Sequence, residues 1–258
     1  MTDLAEPEIR ITGLDMIKRD DEVNITGLDS IRHIYETDMP PVSQFAVELL
    51  RLVTDARELD TEFRLMGSDS HRYQFAPVAA LSSVRDFENR HNIRLPAAYV
   101  EFLTQVGNGG AGPDFGLYSL EELEFYNYYV HSGRTVPYSS VREEQDFYTI
   151  SYKHDEIPVL LDSGLTEAKW NSVCAELDEL SYHKREEEYL QKRHRIYNGT
   201  LKIVNSFDSS ATMLICGGDM CGEMAELSDD LTMPHYHGQS FENWLLGYFK
   251  DVIRKFSH

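Results

Sequence analysis

Residues 87–110 read FENRHNIRLPAAYVEFLTQVGNGG, and the fold is decided in this stretch. Just ahead of it, Ser83-Val-Arg-Asp86 has the form of a capping box with Asp in place of Glu, so a short helix carrying Val84 and Phe87 is predicted to run to about Arg90. Ile93-Arg-Leu95-Pro96 then reads as a turn. Pro96 suits the first position of a second helix, where its missing N–H would have no partner anyway. Tyr99, Phe102, Leu103 and Val106 recur at helical spacing and line one face. Gly107-Asn108-Gly109-Gly110 stops that helix, because glycine accepts the left-handed backbone in which helices end.

On the C-terminal side, Gly116-Leu-Tyr118-Ser-Leu120-Glu121-Glu122-Leu123 opens a segment of different composition. Between Leu117 and Tyr152 lie seven of the fifteen tyrosines, and strands are predicted from their β-propensity. Thr166 is a predicted N-cap for a helix carrying Trp170, Val173, Cys174, Leu177 and Leu180. It continues into Lys184-Arg-Glu-Glu-Glu188 and Lys192-Arg-His-Arg195, which read as a long exposed helix with opposite charges three and four apart. Asn198-Gly199 should end it. Leu201 to Val204 reads as a strand, and Thr212 to Cys216 with Gly222 to Leu227 as a hairpin around Gly217-Gly-Asp219. Ser240 is a predicted cap for a last helix with Phe241, Trp244, Leu245, Tyr248 and Val252, ending near Arg254 and Lys255, where cations suit the helix dipole.

On the N-terminal side, Val42, Phe45, Ala46, Leu49 and Val53 predict another helix behind Pro40-Pro41, and residues 66–70 read as a loop. Further out, Ile9-Arg-Ile-Thr-Gly-Leu-Asp-Met-Ile17 matches Val23-Asn-Ile-Thr-Gly-Leu-Asp-Ser-Ile31. Both copies alternate as short strands do and then meet a glycine. Two copies are too few for a solenoid.

The 258 residues carry 24 Lys and Arg against 44 Asp and Glu, a formal charge of −20. Phosphate backbones need cations to displace their counterions, so direct nucleic-acid binding is disfavoured and a basic partner is favoured. The plainer reading, charge for solubility alone, stays open. Three cysteines, Cys174, Cys216 and Cys221, make no disulfide framework. The acidic N-terminus does not read as a signal peptide, and no run is long and apolar enough to span a bilayer, so the expected compartment is the cytoplasm.

Phe87-Glu88, the Leu95-Pro96 turn, Tyr99 with Phe102-Leu103, and Asn108-Gly109-Gly110 follow in an order that resembles the SUKH superfamily. The segment 116–123, the hairpin ending at Gly222 and the Ser240-Phe241-Glu242-Asn243-Trp244-Leu245 helix continue the resemblance, which spans about Val78 to Phe256. It implies an α+β fold, a mixed or antiparallel sheet packed against helices. Residues 77–258 would be the SUKH-like domain, with a charged helical insertion at about 165–197. Residues 1–76 would be an N-terminal extension holding the duplicated motif and one helix. The motif residues, with Trp244, are read as structural. The family includes bacterial immunity proteins that neutralise toxins and fungal regulators of cell-wall glucan synthesis, so the resemblance implies a non-catalytic binding module with no cofactor and no catalytic set.

Chemistry-bearing patterns are weak. His235-Tyr-His237 puts two imidazoles on one face if the segment is a strand, but a zinc site needs more ligands, and a polar loop before the last helix is the plainer reading. Cys216 and Cys221 are not spaced as Cys-x-x-Cys, and no base to activate a thiol is visible. Gly217 to Gly222 lacks the lysine of a phosphate cradle. No metal is expected. The candidate partner surface is Glu121, Glu122, Glu124, Tyr126, Tyr128 and Tyr129, since tyrosines give large contact area at small entropic cost and the carboxylates would meet a basic surface. The plainer reading has these rings packing on the sheet. The leading expectation is an immunity protein that covers a basic toxin domain, a nuclease being the expected kind. A scaffold or regulator of cell-wall synthesis or stress signalling is the alternative, and a hydrolase using carboxylates or the histidine pair is a third. The oligomeric state is not readable.

Overall fold

In the computed structural model, residues 41–123, 160–182, 188–189, 196–206, 210–228 and 231–257 are described. The duplicated motif at 9–31, the tyrosine-rich stretch from 124 onward and the charge runs at 184–187 and 192–195 lie outside them.

Helix α1 (Gln44–Leu59) begins where the Ser43 hydroxyl accepts the Ala46 N–H at 3.0 Å. Phe45, Ala46, Leu49, Leu52, Val53 and Ala56 are its buried stripe, at the spacing of one helical face. A single turn, α2 (Ser68–His71), leads to α3 (Leu81–His91) and α4 (Ala97–Gln105). The predicted capping box at Ser83 is not the start of α3. The helix begins at Leu81 behind Ala80, with no side-chain cap. Pro96 is the N-cap of α4, one residue earlier than expected. The capping box present is Ser119–Glu122. The Ser119 hydroxyl accepts the Glu122 N–H at 3.1 Å, and the Glu122 carboxylate accepts the Ser119 N–H at 2.7 Å, opening a helical turn at 120–123.

Strands β1 (Thr200–Lys202), β2 (Ser210–Ile215), β3 (Glu223–Ser228) and β4 (His235–Ser240) form an antiparallel sheet in sequential order. The polar segment 235–240, expected as a loop, is β4, pairing Ala225 with Tyr236 and Glu226 with His235. Past β1 the ladder continues through single bridges, Val204 to Leu117, Leu117 to Gly110 and Gly110 to Phe75. Ser240 ends β4 and caps α6 (Phe241–Phe256), its hydroxyl accepting the Asn243 N–H at 3.3 Å.

Alternation along the strands divides the core. Leu201, Leu214, Cys216 and Met224 face a cluster built from α1, α3, α4 and α6, including Phe45, Phe87, Tyr99, Phe102 and Phe241. The helix of the segment ahead of residue 77 therefore shares that cluster. Ala211, Met213, Ile215, Ala225 and Leu227 point the other way, onto Trp170 and Leu177 of α5 (Glu167–Tyr182) and onto Leu161, Ile196 and Tyr197. Both faces of the sheet are covered, which is why its middle strands carry apolar residues on successive positions.

Candidate functional site

The residues quoted first from the sequence build a scaffold. Phe87, Tyr99, Phe102 and Leu103 have no exposed surface, and Trp244 is half-buried against them. Tyr99 meets Phe241 edge-on at 5.1 Å between ring centroids, and Phe102 meets it at 5.5 Å. Glu88, beside Phe87, has a buried carboxylate. One oxygen accepts the Leu95 N–H at 2.8 Å, and the other holds Arg85 at 2.6 Å with Arg94 at 3.7 Å. The Glu88 carbonyl takes the N–H groups of Asn92 and Ile93. Glu88 thus satisfies the turn that carries Leu95 and Pro96 into α4, and burial without those bonds would be costly.

Asn108 does comparable work at the other end of α4. Its amide N–H donates to Glu121 at 2.6 Å, and its oxygen accepts the Leu120 N–H at 2.9 Å. Gly109 and Gly110 adopt φ of 87° and 106°, and a Cβ on Gly110 would lie 2.5 Å from the Gln74 carbonyl. Only glycine lets the chain enter the ladder between Phe75 and Leu117. Of the candidate partner residues, Glu121 is therefore bonded to Asn108, and Glu122 caps the turn at 120–123. Glu124, Tyr126, Tyr128 and Tyr129 lie outside the described residues.

His235 and His237 do share a strand face, with ring centroids 5.4 Å apart, and Glu226 stands opposite His235. Burial lowers the pKa of His237; Glu226 raises it and His235 lowers it further. Among the described residues no three His, Cys, Asp or Glu side chains are placed to hold a metal ion. Cys216 is buried and its thiol is pushed up by burial, with the neighbouring Cys221 and Glu88 adding to the rise. Cys221 is exposed, though partial burial still raises it, and Cys174 is half-buried with its thiol raised by burial and by Asp178. A raised thiol is a poor nucleophile at neutral pH.

One polar centre was missed by the sequence reading. Asp60, at the end of α1, is buried and accepts the N–H groups of Arg64 at 2.7 Å and Leu65 at 3.1 Å, the Tyr73 hydroxyl at 2.8 Å and the Ser68 hydroxyl at 3.2 Å. Burial works to raise its pKa, and those four donors outweigh it and hold the carboxyl below its ordinary value. The segment 66–70, expected as a loop, carries most of the helical turn α2 and is thereby anchored. Its signal in sequence is faint, since a helix-terminal Asp has many other uses.

Charge is distributed unevenly among the described residues. Helices α1 and α6 run side by side with five cations and five carboxylates between them, and Lys250 pairs with Glu48 at 2.7 Å. Residues 160–182 hold five carboxylates against the single cation Lys169. Lys169 donates to the Gly164 carbonyl at 2.9 Å. Trp170 and Leu177 turn inward, and Glu167, Asp178 and Glu179 are left on the exposed face of α5. The loop before α5 adds a further carboxylate, because Ser163 binds Asp219 at the β2–β3 tip through both its N–H and its hydroxyl. Those bonds hold the Asp219 carboxyl below its ordinary pKa. Among the described residues none of Asp162, Glu167, Asp178, Glu179 and Asp219 has an ion-pair partner. Among the described residues this face concentrates negative charge.

No helix among the described residues is long and apolar enough to cross a membrane. The family model for SMI1 / KNR4 (SUKH-1) matches residues 79–224, more than half of the chain. Comparison with curated proteins and with solved structures gave no match.

Proposed function

We propose, from the premise that this chain belongs to the SMI1 / KNR4 family (SUKH-1), that it is a non-catalytic binding module whose partner is a basic protein surface. The observation that carries the reading is the one-sided charge. The chain bears −20, and the exposed face of α5 with the 160–164 loop and Asp219 keeps carboxylates that no described cation neutralises. Like charges held together in this way raise the local potential and speed the encounter with a cationic partner. Within the family's two roles, the finer reading is an immunity protein that covers the working surface of a cognate toxin domain, a nuclease being the kind whose phosphate-binding cations complement this face.

A neighbouring gene is expected to encode a modular toxin, and co-expression with its C-terminal domain should protect cells. The purified pair should associate with an on-rate that falls steeply with salt, since the steering is electrostatic. A cognate toxin domain that ignores the protein at about micromolar concentration overturns the immunity reading. The second reading, a scaffold in cell-wall synthesis, rests on the same membership and predicts several weak partners in place of one tight one.

A further inference from the structure

We propose that Cys216 and Cys221 are a reversible dithiol–disulfide pair at the tip of the β2–β3 hairpin, with Cys221 as the entry thiol and Cys216 as the resolving thiol. This is independent of the partner. The geometry comes from the backbone. The Gly222 N–H donates to the Ile215 carbonyl at 2.7 Å, so the two arms of the hairpin stand one hydrogen bond apart at that point. Cys216 and Cys221 are the next residues inward on either arm, and bridging needs Cα atoms about 4.4–6.8 Å apart. Both arms are pinned, two of the bonds coming from outside the hairpin and the third closing a turn within its second arm. The Cys216 N–H bonds the Gly199 carbonyl at 2.7 Å, the Gly222 carbonyl takes the Phe241 N–H at 2.9 Å, and the Met220 carbonyl takes the Glu223 N–H at 3.0 Å.

Exposure sets the order of events. Cys221 is open to solvent and Cys216 is 2% exposed, so a small disulfide such as oxidised glutathione reaches only Cys221. The small fraction of Cys221 present as thiolate, kept small because partial burial raises that thiol, attacks one glutathione sulfur and the glutathione S–S bond breaks. One glutathione thiolate leaves and takes up a proton, and Cys221 carries the other half as a mixed disulfide. Cys216 then loses its proton to solvent and attacks the Cys221 sulfur, and the second glutathione thiolate leaves. Two protein thiols are oxidised, and one glutathione disulfide is reduced to two thiols. Because burial holds Cys216 protonated, the second step should be slow near neutral pH and quicken about tenfold per pH unit. The closed bridge would tie the hairpin tip above the turn between α3 and α4, where a Cβ on Gly222 would sit 3.6 Å from Pro96.

The test is to equilibrate the full chain in glutathione buffers of graded ratio, alkylate, and map the peptides. The expected result is a transient glutathione adduct on Cys221, replaced by a Cys216–Cys221 link while Cys174 stays alkylatable. The melting temperature should rise by about 5 °C on closure and fall back with reductant. In Cys216→Ala the adduct on Cys221 should persist, and in Cys221→Ser neither adduct nor link should form. The proposal is overturned if wild-type Cys221 keeps its adduct at pH 9, if the link joins two molecules or involves Cys174, or if all three thiols stay reduced at an endoplasmic-reticulum-like glutathione ratio.

Discussion

At the scale of single residues, Glu88 shows how a motif acquires its meaning. The Phe87-Glu88 pair is legible in the sequence as a pattern, but a surface glutamate and a buried acceptor look the same there. In the structure the Glu88 carboxylate takes the Leu95 N–H and Arg85. Glu88→Ala leaves that N–H buried without an acceptor and should cost about 3 kcal/mol in urea unfolding, whereas Glu88→Gln keeps an acceptor and should cost about 1 kcal/mol. Asp60 carries a pH signature. Its folded-state pKa lies below the ordinary value of 3.8, so its contribution is fully present above that value and is lost as pH falls through the lowered one. Acid titration of stability should show a downward limb below about pH 4 that is shallower in Asp60→Asn. Neither role was readable, because each depends on donors that approach only after the chain has turned back on itself.

At the scale of elements, periodic apolar residues told most of the story. The stripes of α1, α4 and α6 and the alternation in β2 and β3 are local patterns, and each element stands close to where its pattern puts it. The failures have a common cause. The segment 235–240 is polar and reads as a loop, yet β4 forms because the edge of β3 offers unpaired backbone groups to it. The helix predicted behind Thr166 is α5, but only the structure shows what its apolar positions Trp170 and Leu177 meet, the second face of the sheet, while the charge runs that follow lie largely outside the described residues. Trp170→Ala removes the largest side chain there and its bond to the Leu231 carbonyl at 2.7 Å. It should cost about 3–5 kcal/mol and raise amide exchange in β2 and β3, while Trp244, the other tryptophan, keeps its fluorescence. Gly110→Ala places a Cβ 2.5 Å from the Gln74 carbonyl at a φ of 106° and should lower stability by more than about 2 kcal/mol, measured by thermal melting.

At the scale of the whole molecule, charge among the described residues is uneven. Reversing Glu167, Asp178 and Glu179 together to Lys should slow association with a basic partner at least about tenfold at low salt and flatten its salt dependence, as stopped-flow binding would read. Reversing Glu62 and Asp251, whose neighbours Arg64 and Arg254 already pair with them, should change the rate little. The sequence by itself determined the net charge, the helix–turn–helix of 87–110 and the α+β class, because composition and apolar periodicity are properties of neighbouring residues. It also pointed to a carboxylate surface at Glu121, Glu122 and Glu124 beside Tyr126, Tyr128 and Tyr129; Glu121 bonds Asn108 and Glu122 takes the Ser119 N–H while both stay exposed, and the other four lie outside the described residues. The tertiary structure alone decided that Glu167, Asp178 and Glu179 of α5 and Asp219 beside Ser163 have no ion-pair partner among the described residues, and that Glu88 and Asp60 are buried. Those outcomes depend on which faces meet, and side chains far apart in the chain find their partners only when the sheet has been covered on both sides.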